Sequence, residues 1–104
     1  MASGASAALA YNDLVAVGLL TGLAERGHRV PDDLAVTGFD DILLARYASP
    51  ALTTVSVPWE ELGTRAWACL HAVVDGTMAD GRGAAAQFRP ELIVRASSGP
   101  PRAI

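Results

Sequence analysis

The sequence predicts an α/β fold in which a parallel sheet is flanked by helices. Short apolar runs alternate with helical patterns in the order β-α-β-(turn)-β-α-β, which is typical of parallel α/β units. The run LAVTGF at 34–39 is almost continuously apolar, as expected for a strand covered on both faces. A third indication is an apolar stripe with spacings of three and four residues within 58–75.

The first strand and helix are predicted from their boundaries. SAALAY at 6–11 has the pattern of a short buried strand, and Asn12 ends it. The helix predicted over 13–26 has Asn12 as N-cap and Asp13 in its first turn, facing the positive end of the helix dipole. Gly27 is a natural stop. The helix is apolar on more than one face, so we expect it to meet a second surface besides its own sheet.

The middle of the chain is predicted to run turn, strand, helical turn, strand. Pro31 breaks regular structure in the turn at 28–33, and the second strand follows at 34–39. Residues 40–48 have the pattern of a helical turn, which ends before a proline. The third strand, 52–57, is rich in β-branched residues.

The last part contains the second helix and a final strand. Pro58 suits the first position of the helix 58–75. We expect this helix to bury a stripe made of Trp59, Leu62, Ala66, Cys69, Leu70, Val73 and Val74. Residues 77–86 are predicted to be a loop and 90–97 a strand. Four strands and two helices make a small sheet with open edges, which suggests that the chain is part of something larger.

Composition excludes several classes of function. The 104 residues are 51% hydrophobic and 18% charged, with a net charge of -3 and scattered basic residues, which disfavours nucleic-acid binding by this chain alone. Cys69 has no partner for an internal disulfide, so a reduced core thiol and a cytoplasmic setting are expected. No apolar run approaches the roughly 18 residues of a membrane helix.

Two polar positions at strand ends raise the question of a ligand site. Asn12 follows the first predicted strand and Asp40 the second, and ligands of open α/β sheets bind beyond the carboxyl ends of the strands. A carboxylate that accepts bonds from adjacent hydroxyls, beside an amide that donates and accepts, suits a sugar. The alternative is that both side chains only cap the helical turns that follow them.

No catalytic, metal or cofactor site is predicted. His28 and His71 have no paired ligand nearby, and Ser97-Ser98 lacks a local base. Asp40 and Asp41 could be an acid–base pair of an enzyme, but adjacent side chains at a strand end diverge. Neither a dinucleotide-binding fingerprint nor a phosphate-binding loop occurs.

Four landmarks resemble the effector-binding domain of LacI/GalR-type transcription regulators. They are A-x-N-D opening a helix, R-V-P-x-D-x-A-V-x-G-F-D-D, S-P-x-L-T-T-V, and E-L-I-V-R-x-S-S, in this order over most of the chain. The resemblance implies a periplasmic-binding-protein-like (type I) fold of two α/β subdomains with a small effector, often a sugar, in the cleft between them. Operator DNA would be bound only by a separate N-terminal headpiece.

The resemblance also implies how the chain is divided. The sequence corresponds to the C-terminal part of the effector domain, without the headpiece, so a fragment is expected. Its implied pieces are 1–50 in the C-terminal subdomain, 51–76 in the N-terminal subdomain, a loop at 77–89, a return strand at 90–98 and a tail at 99–104.

Particular residues acquire expected roles from the resemblance. Asn12 and Asp40 match effector contacts, and Val57 and Trp59 match positions that reach the cleft from the other subdomain. Trp59 could stack on a sugar face or fill the subdomain core as the first residue of its stripe. Asp41 looks more like the cap of the following helical turn than like an effector contact. A dimer interface is implied at Val17, Leu20, Leu44 and Tyr47, with ordinary core burial as the alternative.

The resulting expectation is the effector-sensing and dimerisation region of a cytoplasmic regulator. Its partners would be a small-molecule effector and a second copy of the chain, with no membrane. We expect weak or absent effector binding and no operator binding by this chain alone. Two alternatives stay open: a sugar-binding protein of a transport system, which shares the fold, and a self-associating remnant without ligand.

Overall fold

A computed structural model describes residues 3–77 and 87–100 of the chain. The predicted order of elements is confirmed, although each strand is shorter than predicted. Residues 78–86, most of the predicted loop, and 101–104 of the predicted tail lie outside the described residues. The elements are β1 Ala7–Leu9, α1 Asp13–Glu25, β2 Ala35–Thr37, α2 Leu43–Tyr47, β3 Thr54–Ser56, α3 Trp59–Val74 and β4 Glu91–Ile93.

The described residues fall into two compact units. One contains the residues up to Ser56 together with those from Glu91 onward, and the other contains the residues between Val57 and Pro90. The boundary therefore lies after β3, whereas the sequence placed a change of subdomain at residue 51. The assignment of these pieces to the two subdomains of a larger receptor stays a prediction.

The strands of the first unit are partly parallel. β1 and β2 pair in parallel, with Ala8 opposite Val36. Parallel bridges from Thr37 to Thr53 and from Asp40 to Ser56 continue the pairing toward β3. β3 and β4 are antiparallel, so the prediction of parallel strands is wrong for this last pair. The physical reason is connectivity: the chain leaves the unit through β3 and returns through β4, and adjacent outgoing and returning strands run in opposite directions.

The core of the first unit lies between α1, α2 and the strands. It consists of seven buried side chains: Ala16, Leu20, Leu23, Leu34, Val36, Ala45 and Leu52. Only one face of α1 contributes to it, because Leu14 and Val15 on the same helix are exposed. The apolar excess predicted for this helix is thus present on its surface. Gly27, with a φ of 75°, ends the helix region as predicted.

The turn after α1 is closed by an ion pair. The backbone N–H of Arg29 donates to a carboxylate oxygen of Asp33 at 2.7 Å, and the guanidinium donates to both oxygens of the same group. Hydrogen bonds from the Arg29 side chain hold the pKa of Asp33 below its usual range, and the same bonds raise the pKa of Arg29. The pair is exposed, so it defines the turn more than it stabilises the fold.

The stripe predicted to be buried on α3 is not buried. No residue of α3 is buried, and Trp59, Leu70 and Val74 are at least half exposed. Within the described part of 57–90, the structure contains α3 and no other helix or strand. A single amphipathic helix has nothing to pack against without a second element, so its apolar spacing correctly predicts a helix but not a covered one.

Gly38 follows β2 where the backbone passes very close to α1. A Cβ built on Gly38 would collide with the Oδ1 atom of Asp13 and would lie 3.2 Å from the Asp13 Cα and 3.0 Å from the Cδ2 of Leu52. Asp13 and Leu52 are both completely buried, so neither can move aside easily. Only glycine allows this approach.

We predict that Gly38→Ala lowers the free energy of unfolding by about 1–3 kcal/mol, because the added methyl group overpacks a fixed site. Urea denaturation followed by circular dichroism measures the change. Gly18→Ala is the matched control, since Gly18 has open space around its Cβ position. That control should raise stability by up to about 1 kcal/mol through helix propensity. Equal effects of the two substitutions would contradict the steric argument.

Candidate functional site

Asn12 and Asp40 follow neighbouring parallel strands at the same edge of the sheet. The backbone beyond β1 stays bonded to the backbone beyond β2, because Ala10 N–H donates to Thr37 at 2.8 Å and Asp13 N–H donates to Phe39 at 3.0 Å. Asn12 and Asp40 are the immediate neighbours of this last pair. Both side chains are half-buried. The structure therefore brings the two predicted site residues into adjacent segments.

Asn12 caps α1 as predicted. Its backbone is extended, with φ -154° and ψ 179°, and its side-chain oxygen accepts a hydrogen bond from the N–H of Val15 at 2.9 Å. The capping bond uses the amide oxygen and not the amide nitrogen. The two roles weighed for Asn12, cap and ligand contact, are therefore compatible in one side chain.

Asp40 and Asp41 have an unusual backbone. Their φ angles are 118° and 58°, in the left-handed region that few residues other than glycine adopt. Asp40 is held by its N–H, which donates to the carbonyl of Val55 at 3.0 Å. The chain thus turns sharply at the end of β2, at the edge where Asn12 also lies.

The predicted capping role of Asp41 is wrong. The N-cap of α2 is Ile42, and no side chain makes a capping bond there. The Asp41 carboxylate instead accepts a bond from the guanidinium of Arg95 at 2.9 Å, and the two side chains are only 14% and 15% exposed. A long-range charge partner has displaced the local cap, since a charge-assisted bond away from water is stronger than a neutral one.

Asp13 is a central group that sequence reasoning missed. Its carboxylate is completely buried and accepts a bond from the hydroxyl of Thr54 at 2.6 Å and another from the N–H of Ile42 at 2.9 Å. The sequence indicated only an acidic residue suited to the first turn of a helix. A buried carboxylate needs such donors, and here they fix the segments that carry Asp40 and Asp41.

The final landmark of the sequence is a structural clasp. The Ser97 hydroxyl accepts from the Thr53 N–H at 2.8 Å and donates to the Val36 carbonyl at 2.6 Å. The Ser98 and Thr53 hydroxyls lie 2.6 Å apart, and Arg95 donates to the Leu52 carbonyl at 3.0 Å. The hydroxyls of Ser97 and Ser98 therefore tie the segment after β4 to β2 and to the residue before β3.

A hollow of about 380 Å³ lies on the strands beside the site. It is mainly apolar, with Tyr11 and Phe39 exposed at its rim. The residues lining it are Leu9, Ala10, Tyr11, Thr37, Gly38, Phe39, Val55 and Leu92. Apolar and aromatic side chains next to polar groups at strand ends are typical of small-molecule sites.

The two predicted contacts from the other subdomain, Val57 and Trp59, belong to the second compact unit. Trp59 is half exposed and lines a hollow of about 520 Å³ at the start of α3, together with Pro58, Glu60, Glu61, Thr64 and Arg65. Val57 is half-buried. Their role in effector binding stays a prediction.

The four residues expected at a dimer interface line one shallow hollow of about 430 Å³ between α1 and α2. Tyr47 is 75% exposed and Leu44 is 50% exposed, whereas Leu20 is buried in the core and Val17 is half-buried. The surface is therefore apolar and accessible at Leu44 and Tyr47. Core burial, the alternative considered for all four, applies to Leu20.

No group of three or more His, Cys, Asp or Glu side chains within residues 3–77 and 87–100 could hold a metal ion. The side chain of Cys69 has intermediate exposure. No helix within those ranges is both long and apolar enough for a membrane crossing. The polar groups at the strand ends suit binding of a hydroxylated small molecule.

Comparison with known proteins agrees with this class of fold. Residues 2–98 match the family of periplasmic binding protein-like domains. The HTH-type transcriptional repressor PurR of Vibrio vulnificus is 38% identical over 90 residues, 86% of this chain and 26% of that repressor. The chain spans about a quarter of the length of such curated relatives.

Solved structures give the same result. A LacI family transcriptional regulator from Arthrobacter sp. FB24 in complex with lactose has a TM-score of 0.78 at 35% identity, covering 90% of this chain and 36% of that chain. The transcriptional regulator CelR in complex with cellobiose has a TM-score of 0.78 at 31% identity, covering 89% of this chain and 28% of that chain.

The chain therefore belongs to the periplasmic binding protein-like domain family. Within that class its relatives are LacI-type regulators, and it corresponds to part of their effector-binding domain.

We predict that Thr54→Val lowers the free energy of unfolding by about 1–3 kcal/mol, because the buried carboxylate of Asp13 loses a donor. Thermal and urea denaturation measure the loss. Thr21→Val is the matched control, since the Thr21 hydroxyl is exposed and bonds only within its own helix. That control should change stability by less than about 0.5 kcal/mol. A loss of the same size in both variants would argue against a special role for Asp13.

Proposed function

We propose that this chain supplies part of the effector-binding site of a LacI-type transcription regulator and that the effector is a sugar. The observation that carries the proposal is the placement of Asn12 and Asp40 in adjacent segments where two parallel strands end. Ligands of open α/β sheets bind at such edges. The lactose and cellobiose complexes of two structural relatives support a sugar as the class of effector.

The chemistry of these two residues suits a sugar. A carboxylate such as that of Asp40 can accept bonds from two adjacent hydroxyls, and charged acceptors bond about twice as strongly as neutral ones. An amide nitrogen such as that of Asn12 can donate while its oxygen caps the helix. Trp59 would offer an aromatic face to sugar C–H groups, and Val57 would contact a less polar edge.

The regulator would act through a shift between two conformations. An effector that binds one conformation more tightly shifts the population toward it, and DNA affinity changes by the same coupling. In this proposal the chain has no catalytic role, works in the cytoplasm, and reaches operator DNA only through a separate headpiece. A transport-type sugar-binding protein is the second candidate, favoured only by the shared fold.

We predict weak sugar binding by this chain, with dissociation constants above about 1 mM for lactose and cellobiose, because one wall of a cleft makes few of the contacts. NMR titration should show shifts centred on the amides of Asn12 and Asp40. Asp40→Asn should weaken binding about tenfold. Asp32→Asn, a change of the same kind at an exposed position, should not.

Two outcomes would contradict this proposal. Micromolar sugar affinity would show that the site is complete in this chain, and shifts confined to residues far from the strand ends would place binding elsewhere.

We also propose that the surface at α1 and α2 pairs with a second copy of the chain. Exposed Leu44 and Tyr47 flank an apolar hollow in which Val17 and Leu20 form the inner part. An apolar patch on a soluble chain is commonly an interaction surface. Because α1 is already fixed against its own sheet through Ala16 and Leu20, pairing here would not require its core to rearrange.

We predict that Tyr47→Asp raises the dissociation constant of self-association at least about tenfold, because it places a charge in an apolar contact. Sedimentation velocity over a concentration series measures it. Tyr11→Asp is the matched control: the side chain of Tyr11 is exposed but lies in the hollow on the strands. Equal weakening by both substitutions would indicate a nonspecific effect of charge instead of this surface.

A further inference from the structure

The ion pair between Arg95 and Asp41 differs from the other ion pairs of the described residues. Its Nη2–Oδ1 distance is 2.9 Å, its side chains are 15% and 14% exposed, and it joins residues 54 positions apart. The ion pairs of Arg29, and the contact of His71 with Asp75 that is an ion pair only when His71 is protonated, are local, between residues three or four apart, and more exposed. Exposed local pairs contribute little, whereas a sheltered one can fix the geometry of the segments it joins.

The segment that this pair holds is the one that carries Asp40. Asp40 and Asp41 are consecutive residues with positive φ, a conformation that persists only where the surrounding structure enforces it. Three bonds act on the backbone here: Asp40 N–H to Val55, Asp41 N–H to the Thr54 hydroxyl at 3.3 Å, and Ile42 N–H to Asp13. The Arg95 pair adds a bond between opposite charges to the Asp41 side chain of this turn.

Arg95 is itself held in place on both sides. Its second guanidinium nitrogen donates to the Leu52 carbonyl at 3.0 Å, and its backbone N–H donates to the Thr53 hydroxyl at 2.9 Å. Because the guanidinium is a planar fork with fixed donor directions, two bonds fix its orientation. A rigidly oriented cation can therefore define where Asp41, and with it the neighbouring Asp40, lies.

We propose that Arg95 is a positioning residue for the effector: through Asp41 it holds the turn in the conformation that presents the Asp40 carboxylate. The inference rests on the proposed function, since it assigns Asp40 as an effector contact. It adds that the affinity for effector depends on a residue that does not touch it. A preformed turn binds more tightly because no ordering is needed at the moment of binding.

The alternative is that the ion pair only stabilises the unit as a whole. Amide hydrogen exchange separates the two, because local opening and global unfolding affect different amides. The amides of Asp40, Asp41 and Ile42 report on the turn. The amides of Ala10 and Val36, bonded to Thr37 and Ser97 at 2.8 and 2.9 Å, report on the sheet.

The experiment compares protection factors in the 104-residue chain and four variants. Arg95→Met and Asp41→Asn both remove the charge pairing. Asp41→Asn also keeps the size of the side chain, so it can replace Arg95→Met if that variant fails to fold. Arg95→Lys keeps the positive charge but loses the planar guanidinium, whose two nitrogens bond Leu52 and Asp41. Arg29→Met is the matched control, because Arg29 bonds only within its own turn.

We expect protection of the three turn amides to fall at least about tenfold in Arg95→Met and Asp41→Asn, while the two sheet amides change less than about threefold. Arg95→Lys should lie between these and the wild type, and Arg29→Met should match the wild type. An equal fall at all five amides, or no fall at the turn, would overturn the proposal.

A lactose titration followed by NMR separates this inference from the proposed function. If lactose shifts the Asp40 amide in the wild type, Arg95→Met should weaken that binding at least about fivefold, and unchanged binding would overturn the positioning role. If lactose causes no shift even in the wild type, the sugar proposal fails for this probe, and the exchange data alone decide whether Arg95 holds the turn.

Discussion

The requirement that a buried carboxylate be given donors organises this structure. Asp13 has no contact with water, and an unpaired charge in that position would cost several kcal/mol. Its donors are the Thr54 hydroxyl and the Ile42 amide, which come from β3 and from the start of α2. Satisfying one side chain therefore brings together α1, α2 and β3. Gly38 is required because the backbone immediately after β2 passes against the same group.

In the proposed site, structural and binding roles share one edge of the sheet, at the turn that ends β2. The side-chain oxygen of Asn12 caps α1, and the carboxylate of Asp41 pairs with Arg95. Asp40 immediately precedes Asp41, and both have a positive φ. Each structural bond limits how the others can move. If the proposed site is built on such a frame, it would keep its geometry without ligand, as recognition of a small hydroxylated molecule requires.

Much of the fold could be predicted because its signals are local. Asn12, the apolar spacing and Gly27 define α1 to within one residue, and the positions of Asn12 and Asp40 follow from where strands end. The residues that sequence reasoning missed, Asp13 and Arg95, act through partners 41 and 54 positions away, which no local pattern reveals. The prediction that the apolar stripe of α3 is buried was wrong for a different reason. Periodicity shows which face of a helix is apolar but not whether another element covers that face.

The clasp formed by Ser97 has a consequence for the order in which the molecule can assemble during translation. Ser97 closes on Val36, 61 positions earlier, so the strand that contains Val36 completes its bonds only after residue 97 has left the ribosome. Until then the Val36 carbonyl and the Thr53 amide lack their bonds to Ser97. The helix α1 can form, but the sheet against which it packs is not yet complete. Ribosome-bound chains that end before Ser97 would keep this surface open to chaperones.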